Sequence, residues 1–346
     1  MKFDFIIGNP PYQDESNGEL RNYAPPVYNQ FMDASYKVGE AVELIHPARF
    51  LFNAGSTPKQ WNEQMLQDEH FKVLYYEEDG NKVFPSLSTP LRGGVAITYR
   101  NQKKNFGAIQ AFTKFPEVNS ILHKVLQSKS FVSLMDIVYS RTSYRLTDKM
   151  HADHPEAISQ LSEGHAYDMS SNILQRLPQV FFDKKPSDSH DYIQILGRDN
   201  NKRVYKYIRR DYVKPVENLD YYKLYVAQAN GSGEFGETMS EPVVEKPGVG
   251  ATETFISIGK FDTEQEAAAV GRYIRTKFAR TLLSILKVTQ NGNKPVWRMI
   301  PQQDFTPKSD IDWSKPIRQI DQQLYHKYGL TDEEITFIET HVKEMS

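Results

Sequence analysis

Cysteine is absent from this chain of 346 residues, which excludes a disulfide scaffold, a thiolate zinc site and a thiol nucleophile. A chain without thiols suits a reducing cytoplasm, which is the expected location. No apolar run approaches the ~18 residues that span a bilayer, and no basic-then-apolar signal opens the chain, so no membrane association is expected. The nine histidines show no metal-ligand spacing, and no metal site is implied. An excess of either charge is lacking too: 42 Lys and Arg stand against 44 Asp and Glu, which excludes a uniformly basic coat. With 25% charged and 39% hydrophobic residues, wholesale disorder is excluded. Aromatics are plentiful instead, with 20 Tyr and 19 Phe beside only 3 Trp.

Lys2-Phe3-Asp4-Phe5-Ile6-Ile7 reads as a buried strand, cut by Gly8 and by a turn at Asn9-Pro10-Pro11-Tyr12 that forbids further regular structure. A helix is expected over 27–36, a strand over 41–45, a helix opened by Pro58, and strands over 71–76 and 95–99. Strands alternating with helices indicate half of an α/β sheet. The polar stretch 101–105 then serves as the expected boundary between a first domain, 1–105, and a second, 106–346, of mixed α+β texture. There, helices are expected over 113–129 and 170–177, a two-faced strand over 204–213, and a glycine-rich loop over 230–250. A capping box at Thr263 and Glu266 starts one helix reaching about Lys287, and a similar box at Thr331 and Glu334 opens the last.

The turn after the first strand carries the chemistry. Two consecutive prolines lock the backbone so that the Asn9 side-chain oxygen and the Pro10 carbonyl can point the same way. Two fixed acceptors are what an exocyclic amino group with two N–H donors requires, and accepting both bonds leaves its nitrogen electron-rich enough to attack a methyl group. Tyr12 adds a flat face for a base taken out of the duplex.

This stretch resembles the N6-adenine DNA methyltransferases of the Asn-Pro-Pro-Tyr type. The resemblance implies that Asn9, Pro10, Pro11 and Tyr12 form the catalytic turn, with Tyr12 stacking on the target adenine. The stretch 42–51 is similar to the next strand and turn of that family. Lys82-Val83-Phe84-Pro85, ahead of Gly93-Gly94-Val95-Ala96-Ile97, looks like a later motif, which makes Phe84 a second aromatic wall. Segments 276–280, 287–290, 301–305 and 324–330 resemble the target-recognition region of type II restriction-modification methylases. The implied fold is a partial Rossmann-like methyltransferase sheet, its cofactor half missing, followed by a DNA target-recognition domain. The implied reaction moves a methyl group from S-adenosylmethionine to a flipped adenine, and the implied partners are double-stranded DNA and a polypeptide supplying the cofactor half. On this reading the chain is a fragment or split subunit, inactive alone. The alternative is a non-catalytic DNA-binding specificity subunit. Gly231-Ser232-Gly233-Glu234-Phe235-Gly236 spells a nucleotide-loop pattern, but Pro242 leaves no room for the helix it needs, so a flexible loop is expected instead of a cofactor site.

Between Ala267 and Gln303 lie Arg272, Arg275, Lys277, Arg280, Lys287, Lys294 and Arg298 and no acidic residue. Local charge of this kind is the footprint of phosphate contact. DNA contacts are therefore expected at Arg272, Arg275, Lys277, Arg280, Lys287 and Arg298, joined by Arg209 and Arg210 from the tyrosine-rich strand.

Overall fold

A computed structural model of the chain describes residues 2–13, 25–85, 93–200 and 202–345. The fold is mixed α/β with several sheets, divided into two compact units, Met1–His123 and Lys124–Ser346. The polar stretch 101–105, expected as the boundary, turns the chain within the first unit. Beyond it Phe106 N donates to Glu69 O at 2.7 Å and Gln110 N to Leu66 O at 2.8 Å. Ile109 and Phe112 pack on the same core, and apolar burial thus holds this segment to the first unit.

The first unit runs β1 (Phe3–Gly8), α1 (Tyr28–Val38), β2 (Gly39–Pro47), α2 (Lys59–Gln67), β3 (Phe71–Glu77), a short α3 (Gly80–Val83) and β4 (Val95–Asn101). The sheet order is β1-β2-β4-β3, with β1 parallel to β2 and β4 antiparallel to both of its neighbours. Met32, Val42, Leu44, Phe50, Trp61, Met65 and Phe71 fill its core. Pro58 stands at the N-cap of α2, one residue earlier than a first-turn proline, and its carbonyl accepts Asn62 N at 3.0 Å. As an edge strand, β1 leaves Phe3, Phe5 and Ile7 exposed and turns Ile6 toward the core. The loop expected around Phe84 lies in part, at 86–92, outside the described residues.

The division between the units falls within α4 (Pro116–Leu126). Past it come β5 (Val138–Tyr139) and three short helices, α5 (Asp148–Asp153), α6 (Ala157–Gln160) and α7 (Ile173–Arg176). The strands β6 (Tyr192–Asp199), β7 (Lys202–Arg209), β8 (Tyr222–Ala227), β9 (Val243–Glu245), β10 (Val249–Ala251) and β11 (Phe255–Phe261) follow. They build the sheets β10-β6-β7 and β5-β11-β8-β9. The single helix expected to reach Lys287 is two, α8 (Glu264–Arg275) and α9 (Lys277–Leu286), and α10 (Ile317–Lys327) and α11 (Asp332–His341) close the chain. Thr276 makes the break: its hydroxyl accepts Ala279 N at 3.1 Å, while the Asp321 carboxylate of α10 accepts Lys277 N at 3.1 Å and Phe278 N at 2.9 Å. A cap supplied from another helix thus starts α9 where the sequence pattern alone runs on.

Candidate active site

The strand directions gather one edge of the first sheet. Gly8 pairs with Leu44, Pro47 with Val95 and Glu77 with Val95, so the carboxyl ends of β1, β2 and β3 meet the start of β4 on the same side. Loops at the carboxyl ends of parallel strands are where open α/β sheets place their ligands. Asn9–Tyr12, Ala48–Asn53, Asp79–Phe84 and Gly93-Gly94 all emerge there.

Asn9 is exposed, and its amide has no hydrogen-bond partner among the described residues. Pro10 is half-buried and Pro11 exposed. The turn is pinned from behind: Val27 N donates to Tyr12 O at 3.2 Å and Gln13 bridges Pro26, which ties the motif to the start of α1. Tyr12 is half-buried against the core, and burial pushes its phenol up to about 12. Its hydroxyl is buried with no partner among the described residues. Phe84 stands 6.4 Å from Tyr12, ring centroid to centroid, at an interplanar angle of 65°. This is edge-to-face packing, so a planar ligand enters between them only after a ring turns. The fold thus sets Asn9, Pro10 and the two aromatic rings together at one end of the sheet.

Behind this edge His46 is fully buried. It stacks on Tyr28 at 5.9 Å, and its two nitrogens lie 3.1 Å from Pro47 O and 2.7 Å from Thr98 Oγ1. Burial drops its pKa to about 4, which makes it a neutral packing residue.

Residues 1–84 match the Eco57I restriction-modification methylase family. The matched segment contains both the Asn9–Tyr12 turn and Phe84. None of the curated proteins matches the chain. Among solved structures, the type IIG restriction endonuclease BpuSI is similar at 8% identity and a TM-score of 0.32, with 91% of this chain and 48% of that one covered. The type IIL restriction-modification enzyme MmeI, solved in complex with DNA, is similar at 8% identity and a TM-score of 0.31, covering 98% of this chain and 56% of that one. The chain thus spans about half the length of these structures.

The basic residues of the second unit are placed differently from the expectation. Arg280 is 2% exposed, and its guanidinium donates to the carbonyls of Arg275 at 3.1 Å, Glu237 at 3.1 Å and Lys343. Lys287, also buried, donates to Asn230 O at 2.8 Å and pairs with Glu237. Phosphate contact at Arg280 and Lys287 is therefore corrected to an internal role, because both side chains are buried and their hydrogen-bonding capacity serves backbone carbonyls and a carboxylate. Arg272 donates to Trp313 O, Arg275 pairs with Glu241 at 2.7 Å and Lys277 with Glu339 at 2.7 Å. Arg209 is held by Asp211 at 2.6 Å and lies over the Tyr212 ring, while Arg210 pairs with Asp220 at 2.6 Å and Asp191 at 2.9 Å. Arg298 alone of the eight is exposed with its guanidinium unpaired among the described residues.

The glycine-rich loop is tied down where flexibility was expected. Glu237 accepts Ser232 N at 2.7 Å and Gly233 N at 3.1 Å, so its own carboxylate occupies the amides that a phosphate would need. A Cβ at Gly233 would sit 2.3 Å from Thr289 N, and one at Gly236 would sit 2.4 Å from His341 O. Protein backbone fills the space beside these glycines. Among the described residues no group of three or more acidic or histidine side chains could hold a metal, and no helix is long and apolar enough to cross a membrane.

Proposed function

We propose that the first unit is the target-base half of a DNA adenine-N6 methyltransferase of a restriction-modification system, and that the second unit binds DNA. The observation that carries this reading is the Asn9–Tyr12 turn at the carboxyl end of β1, with Phe84 beside Tyr12, inside a segment that matches a methylase family. In this role the Asn9 side-chain oxygen and the Pro10 carbonyl accept the two N–H bonds of the adenine amino group, holding it and enriching its nitrogen. Tyr12 and Phe84 hold the ring of a base removed from the stack.

S-adenosylmethionine is the methyl donor that a methylase requires, but the glycine-rich loop at 231–236 does not fit it. The glycines of 231–236 are packed by their own chain, and their amides are engaged by Glu237. The acceptor side of the reaction is what these residues supply, and a polypeptide carrying the donor site is the proposed partner.

The test gives the full chain plasmid DNA and methyl-labelled S-adenosylmethionine, with and without a polypeptide that carries the donor site, and assays digested nucleosides by mass spectrometry. N6-methyladenine is expected with the partner present, and Asn9→Ala should reduce it by roughly a hundredfold or more, the usual cost of losing one preorganised transition-state contact. Tight DNA binding by the pair with no methylated base would favour the non-catalytic specificity subunit instead.

A further inference from the structure

Arg49 sits between fully buried neighbours, Ala48 and Phe50, at the same sheet edge as the Asn9–Tyr12 turn, yet it is itself exposed. Its backbone is fixed on both sides: Ala48 N donates to Gly94 O at 3.0 Å and Ala54 N to Arg49 O at 3.1 Å. Its aliphatic stem lies between two glycines of positive φ. A Cβ at Gly93 (φ +85°) would fall 2.5 Å from Arg49 Cγ, and one at Gly55 (φ +93°) would fall 3.2 Å from Arg49 Cβ. The loop carrying Gly55 is in turn held by buried polar groups, with Thr57 Oγ1 donating to Asn62 Oδ1 at 2.7 Å and Asn62 Nδ2 to Asn53 Oδ1 at 3.2 Å.

All this fixed structure presents a guanidinium that has no carboxylate within 4 Å among the described residues. A long side chain whose stem is already ordered loses little entropy on binding, and a planar fork of donors matches an oxyanion in two-point geometry. Its charge acts on Tyr28, drawing down a phenol pKa that burial, the larger effect, nevertheless leaves at about 12.

From this geometry we infer that Arg49 binds a phosphate of the nucleotide whose base occupies the Asn9–Tyr12 turn, which makes it a substrate-positioning residue. The assignment rests on the reading of that turn as a base-holding site. An extruded base remains attached to its backbone, so a phosphate must arrive at the same sheet edge, and Arg49 is the preorganised cation waiting there. Two sources of oxyanion fit the fork, a nucleotide phosphate and the carboxylate of a methyl donor; the inference commits to the phosphate.

The experiment compares binding of 2′-deoxyadenosine, 2′-deoxyadenosine 3′,5′-bisphosphate and S-adenosylhomocysteine to the full chain by ligand-observed NMR titration. Wild type is expected to bind the bisphosphate roughly tenfold more tightly than the nucleoside, the scale of one charged hydrogen-bonded contact. Arg49→Gln should erase most of that advantage while binding the nucleoside as wild type does, and Arg49→Lys should restore part of it. Asn9→Ala should weaken both deoxyadenosine ligands. An advantage that persists in Arg49→Gln would overturn the assignment of Arg49 and leave the base site standing. Loss confined to S-adenosylhomocysteine would assign the cation to a carboxylate and also overturn it. Deoxyadenosine binding that is absent, or indifferent to Asn9→Ala, would remove the base site and the inference together.

Discussion

His46 is a histidine that its surroundings make inert. It ordinarily titrates near 6.5, whereas burial against Tyr28 and Thr98 lowers it to about 4 in the folded chain. Between these values the unfolded chain binds a proton that the folded chain refuses. Stability is therefore fully present above about pH 6.5 and is lost as pH falls toward 4, by on the order of 3 kcal/mol for this residue. Urea denaturation of the first unit at pH 7 and pH 4.5 should show this difference, and His46→Gln should shrink it whatever its effect on absolute stability. An unchanged pH difference in the variant would mean that His46 is hydrated in solution. At the same edge Arg49 shows the opposite case, a charged side chain kept in solvent by a glycine cradle whose purpose no local sequence pattern reveals, since Gly55 and Gly93 are far apart in the chain.

At the scale of elements, the break between α8 and α9 determines where several charges go. Residues 264–286 keep helical apolar spacing throughout, so the sequence reads as one rod; the Asp321 carboxylate, contributed from α10, starts a second helix after Thr276. Arg280 then faces inward and ties α9 to the glycine-rich loop and to the C-terminal segment through carbonyls of Glu237 and Lys343. Arg280→Met should cost about 3 kcal/mol or more, since it removes the buried guanidinium that donates to the carbonyls of Arg275, Glu237 and Lys343. Hydrogen exchange adds a local readout: the Lys343 amide, bonded to Gly236 O at 2.9 Å, should lose protection ahead of the helices. A variant as stable as wild type would show that water replaces the guanidinium. By contrast the two capping boxes, at Thr263 with Glu266 and Thr331 with Glu334, form as their local spacing predicts.

Over the whole molecule, near-neutral composition conceals how charges meet. The segment 267–303 has no acidic residue, yet Glu237, Glu241 and Glu339 reach its lysines and arginines from outside it. An acid-free run in sequence is thus not an acid-free surface, because ion pairs form between residues close in space and are indifferent to chain separation. This moves the expected salt dependence of DNA binding. Arg298→Gln should lower the slope of log affinity against log salt by about 0.9 if it contacts one phosphate, whereas Arg280→Met should act through stability alone. Fluorescence anisotropy with a labelled duplex at several salt concentrations measures both, and an unchanged slope in Arg298→Gln would place the phosphate contacts elsewhere.

The sequence by itself determined the strand and helix order of the first unit and the Asn9–Tyr12 turn, because alternating burial, proline rigidity and helix caps act over a few residues and need no distant partner. It could not decide where the first unit ends, why α9 begins at Lys277, which arginines are spent internally, or that Arg49 shares an edge with Asn9. Those outcomes depend on strand direction, on caps and carboxylates brought from remote segments, and on burial, all of which come into being only when the chain packs against itself.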